Sequence, residues 1–201
     1  MTLVSLRLPL PGGELRLLQP SEAAELPDDG PVEWAPLVPY WSVLWRSGVA
    51  LGRELAEPAG SARLAGLRVI ELGCGLGVPS VTAARAGATV LATDASEEAL
   101  HMTERNAHEN GLTVETAQLD WDAPDALVAR APFDLVLAAD VLYERAAVAQ
   151  LLSLLPRLAG EVWLADPGRP AAEAFLEQAR REWSVATSER DGVRIHRLQA
   201  R

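Results

Sequence analysis

An apolar run over residues 67–72 stops at three glycines spaced two apart, Gly73, Gly75 and Gly77, with Pro79 just beyond. A short apolar run bounded by glycine reads as a buried strand, and proline suits the first turn of a helix, here expected over 79–86. Glycines between strand and helix let backbone N–H groups approach a ligand where no Cβ intervenes, so the stretch reads as a nucleotide-type turn. The dinucleotide fingerprint needs a third glycine at residue 78, where this chain has Val78. Glu71 precedes Gly73 by two residues. A carboxylate at that strand end repels a pyrophosphate and suits a ligand carrying an ammonium group.

Strand and helix signals alternate along the rest of the chain. Residues 3–8 and 14–19 flank Pro11-Gly12-Gly13 and predict a hairpin on the edge of the domain. Residues 20–39 hold five prolines and several acids, which predicts a mostly irregular segment, either a lid over the site or an inert connector. Tyr40, Trp41 and Trp45 precede a helical pattern built on Leu44, Val49, Leu51 and Leu55, and residues 58–60 then read as a break. Further strands are expected at 89–93, 113–119, 133–138 and 161–165, with helices at 97–109, 144–156 (ended by Pro156) and 171–182. Ser96 suits an N-cap, and Asn110-Gly111 a helix end. Segments 183–189 and 193–198 around Arg190-Asp191-Gly192 predict a closing hairpin. Five βα units and that hairpin imply an α/β fold, a Rossmann-like doubly wound sheet of seven strands, mostly parallel, with the N-terminal β-hairpin added. The expected domains are 1–38, the hairpin with its lid or connector, and 39–201, the main domain.

In such sheets ligands sit outside the carboxyl ends of the strands. Asp94 ends the second strand, 23 residues beyond Glu71, where a carboxylate can accept from ribose hydroxyls. Asp120 and Trp121 follow the third strand and suit an adenine amino group and a purine face, or alternatively a loop cap with a packed Trp. Ala139, Asp140 and Tyr143 follow the fourth. Acids around a phosphate-averse turn suit S-adenosylmethionine (SAM), whose sulfonium an aromatic wall also attracts. Cys74, the single cysteine, reads as a small residue that lets backbone approach the ligand, and His101 and His108 read as exposed residues with no metal site. All 18 basic residues are Arg, and the formal net charge of −10 disfavours nucleic acid and favours a basic peptide or a cationic small molecule. No apolar stretch is long enough to span a membrane, and one cysteine fits a reducing compartment, so the expected location is the cytoplasm. The oligomeric state stays open, a monomer being favoured.

With these residues placed, the chain resembles the class I, seven-strand SAM-dependent methyltransferases over about residues 35–200. Pro39-Tyr40-Trp41 with Trp45 and Gly48, Leu119-Asp120-Trp121, and Asp140 with Tyr143 in a D-x-x-Y pattern are similar to the protein-lysine methyltransferase group. The loop Asp166-Pro167-Gly168-Arg169-Pro170 is similar to that of electron-transfer flavoprotein β-subunit lysine methyltransferases. The resemblance implies SAM contacts from Trp45, Gly73, Cys74, Gly75, Asp94, Trp121 and Ala139, joined on the residue reading by Glu71, Gly77 and Asp120. It places Asp140 and Tyr143 beside an acceptor nitrogen and implies N-methyl transfer to lysine of a protein, electron-transfer flavoprotein being one candidate. A nicotinamide N-methyltransferase-like small-molecule enzyme, an rRNA or tRNA methyltransferase and a non-catalytic SAM-binding module are the alternatives.

Overall fold

The computed structural model describes residues 2–24 and 39–201. β1 (Leu3–Leu10) and β2 (Gly13–Pro20) form an antiparallel two-stranded sheet, followed by the single turn of α1 (Ser21–Ala24). That turn is helical where the sequence predicts irregular chain, and the expected lid or connector over residues 25–38 lies outside the described residues. A 3-10 turn, Tyr40–Ser42, leads into α2 (Arg46–Ala56).

The predicted break at residues 58–60 is instead a second helix, α3 (Pro58–Leu64). Proline stands at its first turn, where the missing N–H costs nothing. Gly60 has a packing role there, because a Cβ would lie 2.5 Å from the Glu54 carbonyl of α2. Then come β3 (Arg68–Leu72), α4 (Val78–Arg85), β4 (Thr89–Asp94), α5 (Glu97–Glu109), β5 (Glu115–Gln118) and the short α6 (Asp125–Val128). The chain continues through β6 (Leu135–Ala139), α7 (Arg145–Leu158), β7 (Glu161–Asp166), α8 (Pro170–Ala179), β8 (Trp183–Arg190) and β9 (Val193–Ala200). α7 runs two residues past Pro156, where the sequence predicts its end. A proline this late removes one backbone bond, and the buried Leu155 and Leu158 hold the last turn on the core.

The seven-stranded sheet has the order β5-β4-β3-β6-β7-β9-β8, with β3 to β7 parallel and β9 antiparallel to both β7 and β8. The order reverses between β3 and β6, which opens a crevice above their C-terminal ends. Strand alternation sorts the core into two layers. Ile70, Leu72, Val136 and Leu164 face α7 and α8 with Leu151 and Phe175, whereas Val69, Leu137 and Trp163 face α2 and α4 with Leu51, Leu55 and Val81.

The N-terminal hairpin shares this second layer. Leu15 and Leu17 of β2 are fully buried in it, worth about 1.5–3 kcal/mol each. Asn106 of α5 and Asn110, which caps the same helix one turn later, complete the outer edge of β2. Asn106 accepts from Leu18 N–H at 2.6 Å and donates to Leu18 C=O at 3.2 Å; Asn110 accepts from Arg16 N–H at 3.0 Å and donates to Arg16 C=O at 2.8 Å. Asn106 also donates to Leu76 C=O at 2.9 Å, which ties the hairpin to the glycine turn.

The closing hairpin turns at Asp191 and Gly192, both at positive φ (54° and 74°), as a two-residue primed turn requires. It grips α2: Arg46 Nη2 donates to Asp191 C=O at 3.1 Å, Arg53 pairs with Asp191 Oδ2 at 2.6 Å, and Arg190 pairs with Glu54 and Glu57 at 2.8 and 2.9 Å.

Candidate active site

A cavity of about 290 Å³ opens at the C-terminal ends of the parallel strands. Its floor is the glycine turn after β3. Gly73 and Gly75 line it at φ +70° and +51°, a backbone region that L side chains rarely adopt. A Cβ on Gly75 would come within 3.1 Å of the Trp41 carbonyl, so the aromatic segment ahead of α2 lies directly on this turn. Asp94, at the tip of β4, spans the turn: Oδ2 accepts from Gly75 N–H at 3.0 Å and Oδ1 from Ser96 N–H at 3.0 Å. Ser96 caps α5 as expected, its hydroxyl accepting from Ala99 N–H at 3.3 Å.

One wall is Asp120 and Trp121, which follow β5. The Asp120 carboxylate accepts from Asp122 N–H at 2.9 Å in a tight turn, and Trp121 packs against the core while one side faces the cavity. The other wall is aromatic. Tyr40 and Trp45 have ring centroids 6.4 Å apart, Tyr40 and Tyr143 5.6 Å apart, and the Trp45 indole N–H donates to Tyr40 C=O at 2.9 Å. Tyr143 is 47% exposed, the one large apolar side chain so open among the described residues. Burial of its phenol, reinforced by Glu144 and Asp94, pushes the pKa above its ordinary value, so it is a neutral hydroxyl at physiological pH.

The back is formed after β6. Ala139 lines the cavity, and Asp140 stands at φ +60°, a strained setting for a residue with a side chain. Its N–H donates to Ala165 C=O at 2.9 Å. Arg169, from the loop after β7, donates from Nε to Asp140 Oδ1 at 2.7 Å and pairs through Nη2 with the same oxygen, also at 2.7 Å. Oδ2 faces Ser47 of α2, whose hydroxyl is 3.4 Å away.

The structure thus brings Trp45, Gly73, Gly75, Asp94, Asp120, Trp121, Ala139, Asp140 and Tyr143 around one cavity. Three expected ligand contacts lie elsewhere. Glu71 shares the strand phase of Val69 and so faces α4, fully buried beneath the turn. Its carboxylate accepts from the Ser80 N–H at 2.9 Å and from the Ser80 hydroxyl, and burial raises its pKa to about 8. It secures the start of α4 and presents no charge to the cavity. The Cys74 side chain is buried against Thr103, whose hydroxyl is 3.4 Å from Sγ, and burial pushes the thiol well above its ordinary pKa. Gly77 is required for a different contact: at φ +77° a Cβ would lie 2.7 Å from Thr103.

Sequence reasoning passed over Ser47 and Arg169. Arg169 was legible only as one member of a turn-forming Asp-Pro-Gly-Arg-Pro run, and no periodicity signals that its side chain reaches Asp140. His101 and His108 are exposed on α5, and among the described residues no cluster of His, Cys, Asp or Glu is arranged to hold a metal ion.

The arrangement suits one kind of small molecule. Four carboxylates line the cavity, from Asp94, Asp120, Asp140 and Glu144, and the one lining cation, Arg169, is already paired. A polyphosphate finds no free positive charge there, while a cationic nucleoside finds acids for its amino and hydroxyl groups and aromatic faces for its charge.

Residues 41–165 match the family model described as lysine methyltransferase. The chain is 34% identical over 169 residues to the protein N-lysine methyltransferase METTL21A of Danio rerio, covering 79% of this chain and 76% of that protein. It is 32% identical over 152 residues to the electron transfer flavoprotein beta subunit lysine methyltransferase of Danio rerio, covering 72% of this chain but only 56% of that protein. Among solved structures, the T. thermophilus 16S rRNA methyltransferase RsmC in complex with AdoMet and guanosine superposes with a TM-score of 0.72 at 18% identity, over 100% of this chain and 51% of that one. That last likeness is one of fold. The chain belongs to the lysine methyltransferase family and is a SAM-dependent methyltransferase with a Rossmann-like sheet.

Proposed function

We propose that this chain moves the methyl group of SAM onto the side-chain nitrogen of a lysine in a protein, with Asp140 and Tyr143 beside that nitrogen. The observation that carries the reading is the acidic cavity with an aromatic mouth, whose one lining cation is internally neutralised. When bound, SAM supplies a methyl carbon already activated by the positive sulfur. Trp45, the turn at Gly73 and Gly75, Asp94, Asp120, Trp121 and Ala139 are the residues that would hold it.

The protein's task is then alignment, exclusion of water and supply of a neutral amine. Alignment alone can provide ~7–11 kcal/mol. Deprotonating a free lysine of pKa near 10.4 at pH 7 costs about 4.6 kcal/mol. The rings of Tyr40, Trp45 and Tyr143 strip water from the incoming side chain and so lower that cost. Asp140 Oδ2 and the neutral Tyr143 hydroxyl would accept the amine's N–H groups and so orient its lone pair away from them. With SAM bound, the nitrogen would gain the methyl group as the S–C electron pair stays with sulfur, and the proton of the resulting ammonium would leave to water through the open side at Tyr143.

A net charge of −10 favours a basic protein segment as acceptor, and electron-transfer flavoprotein is a candidate because a lysine methyltransferase acting on it is among the relatives. We place the reaction in the cytoplasm, in keeping with the free Cys74 and with described helices too short or too polar to cross a membrane. The test is labelled-methyl transfer from SAM into a cell lysate separated into protein, RNA and small-molecule fractions, with electron-transfer flavoprotein as an added arm. Label on protein lysine is expected, reduced at least ~10-fold by Asp140→Ala or Tyr143→Phe. Label confined to small molecules or RNA would overturn the reading.

A further inference from the structure

Asp140 presents a difficulty for any amine acceptor. A bare carboxylate within ~4–6 Å of an amine stabilises the ammonium form and raises its pKa by ~1–3 units, the opposite of what nucleophilic attack requires. The structure contains the counterweight. Arg169 places two donors, Nε and Nη2, on Oδ1 of Asp140, each at 2.7 Å, in a pair whose side chains are only 24% and 8% exposed. Both donors use the same oxygen, so Oδ2 stays available, its hydrogen-bond contact among the described residues being the Ser47 hydroxyl at 3.4 Å.

The guanidinium is itself held by the loop that carries it. Asp166, fully buried at the end of β7, accepts from Gly168 N–H at 2.6 Å and from Arg169 N–H at 2.7 Å. Gly168 permits the turn at φ +97°, and Arg169 then occupies the N-cap of α8 with its side chain directed back to the cavity. The run Asp166-Pro167-Gly168-Arg169-Pro170 therefore serves to deliver one fixed positive charge to Oδ1 of Asp140.

We propose that Arg169 is a positioning and charge-balancing residue of the acceptor subsite: it anchors Asp140 through Oδ1, presents Oδ2 to the acceptor nitrogen, and keeps that carboxylate from trapping the acceptor as an ammonium ion. The inference rests on the amine-acceptor reading above. It makes the Asp140–Arg169 pair act as an oriented dipole in place of a lone negative charge. The other groups facing this spot are Asp94 from β4, Asp120 after β5, and Tyr143 and Glu144 after β6; Tyr40 faces it from ahead of α2, and Asp166 lies behind the pair. They are common to the enzyme and to any Arg169 variant, so their influence cancels in a comparison.

The experiment is the pH dependence of labelled-methyl incorporation at saturating SAM, with the lysate protein fraction as acceptor, for the enzyme, Arg169→Met and Arg169→Lys. Thermal melts are recorded alongside. Removing the guanidinium is expected to move the midpoint of the ascending limb upward by about one pH unit, a ~10-fold loss near pH 7 that shrinks to ~2-fold near pH 10. Arg169→Lys restores the charge without the two-donor fork, so its midpoint is expected to return toward the parent value while its plateau stays lower. A loss uniform across pH, or an unshifted midpoint in Arg169→Met, would overturn the inference while leaving the acceptor reading intact. Failure of the parent enzyme to label protein at any pH would instead overturn the acceptor reading. Should Arg169→Met melt far below the parent, the comparison rests on Arg169→Lys, whose profile must then share the parent's midpoint.

Discussion

Replacing Asn106 by Ala tests whether the N-terminal hairpin and the cofactor turn are one mechanical unit. The Asn106 side chain is fully buried and makes three hydrogen bonds: to Leu18 N–H, Leu18 C=O and Leu76 C=O. A buried polar atom left without a partner costs ~1–3 kcal/mol, and three such atoms set an upper range near ~9 kcal/mol. Water entering the space left by the amide would recover most of that for the two groups on the edge of β2. Leu76 lies under the turn and is only 4% exposed, so its carbonyl is the one expected to bear a full penalty. The net expectation is a loss of about 3 kcal/mol, or roughly 6–12 °C in Tm for a chain of this size. Asn110→Ala is the comparison: it removes the analogous bonds to Arg16 together with those to Asn106 C=O and from Arg85, at an edge where water can replace them, and should cost about 1 kcal/mol. Urea titrations followed by Trp fluorescence measure both. Equal losses for the two variants would refute the argument, since it assigns the difference to the burial of Leu76 C=O.

Glu71→Gln separates stability from pH. The native carboxyl has a pKa of about 8 against 4.5 for an unperturbed group, so the folded state holds a proton that the unfolded state has lost between those values. Stability from this site therefore falls as pH rises from ~4.5 to ~8, by up to about 5 kcal/mol. Gln can still accept from Ser80, so the variant should match the parent at pH 5 and be the more stable at pH 9 by urea denaturation; parity at pH 9 would contradict the assignment. Gly77→Ala forces φ +77° on a residue with a Cβ and presses that Cβ to 2.7 Å from Thr103. A loss of ~2–4 kcal/mol in stability is expected, with SAM affinity measured by calorimetry on the folded fraction within ~3-fold of the parent, because Gly77 does not line the cavity.

Much of the architecture was readable because single residues carried it. Pro79, Ser96 and Asn110-Gly111 mark helix ends by local chemistry, and Asp191-Gly192 marks its hairpin by a backbone requirement. Acids at strand ends were equally legible, since position along a parallel strand fixes which edge of the sheet a residue reaches. What could not be read was depth. Glu71 is the last residue but one of β3 and pairs in register with Ala92, so it points to the same face as Asp94 but lies two residues deeper. Beneath the glycine turn it meets Ser80, while Asp94 at the tip of β4 reaches the cavity, and the apolar run around Glu71 does not reveal where its strand stops. Pro58 and Pro156 misled for a related reason: proline excludes an interior helical position, but permits a first turn and survives near a last one when the flanking leucines are buried. Arg169 and Asp140 are 29 residues apart, and no local pattern announces their pairing. Asn106 left a faint trace, an indifferent helix former placed on the buried face of α5 for the hydrogen bonds it makes outside that helix.

Every ion pair among the described residues draws its cation from arginine, from Arg53 and Arg190 on the α2 clamp to Arg169 in the site. An enzyme that consumes uncharged amines gains turnover as the medium becomes alkaline, where lysine-based bridges would begin to dissolve. Guanidinium keeps its proton throughout that range. The 201 residues also contain no lysine at all. The clamps can therefore stay closed at alkaline pH even as deprotonation of Glu71 costs stability there, and the 201 residues offer no lysine side chain to a methyl-transfer reaction.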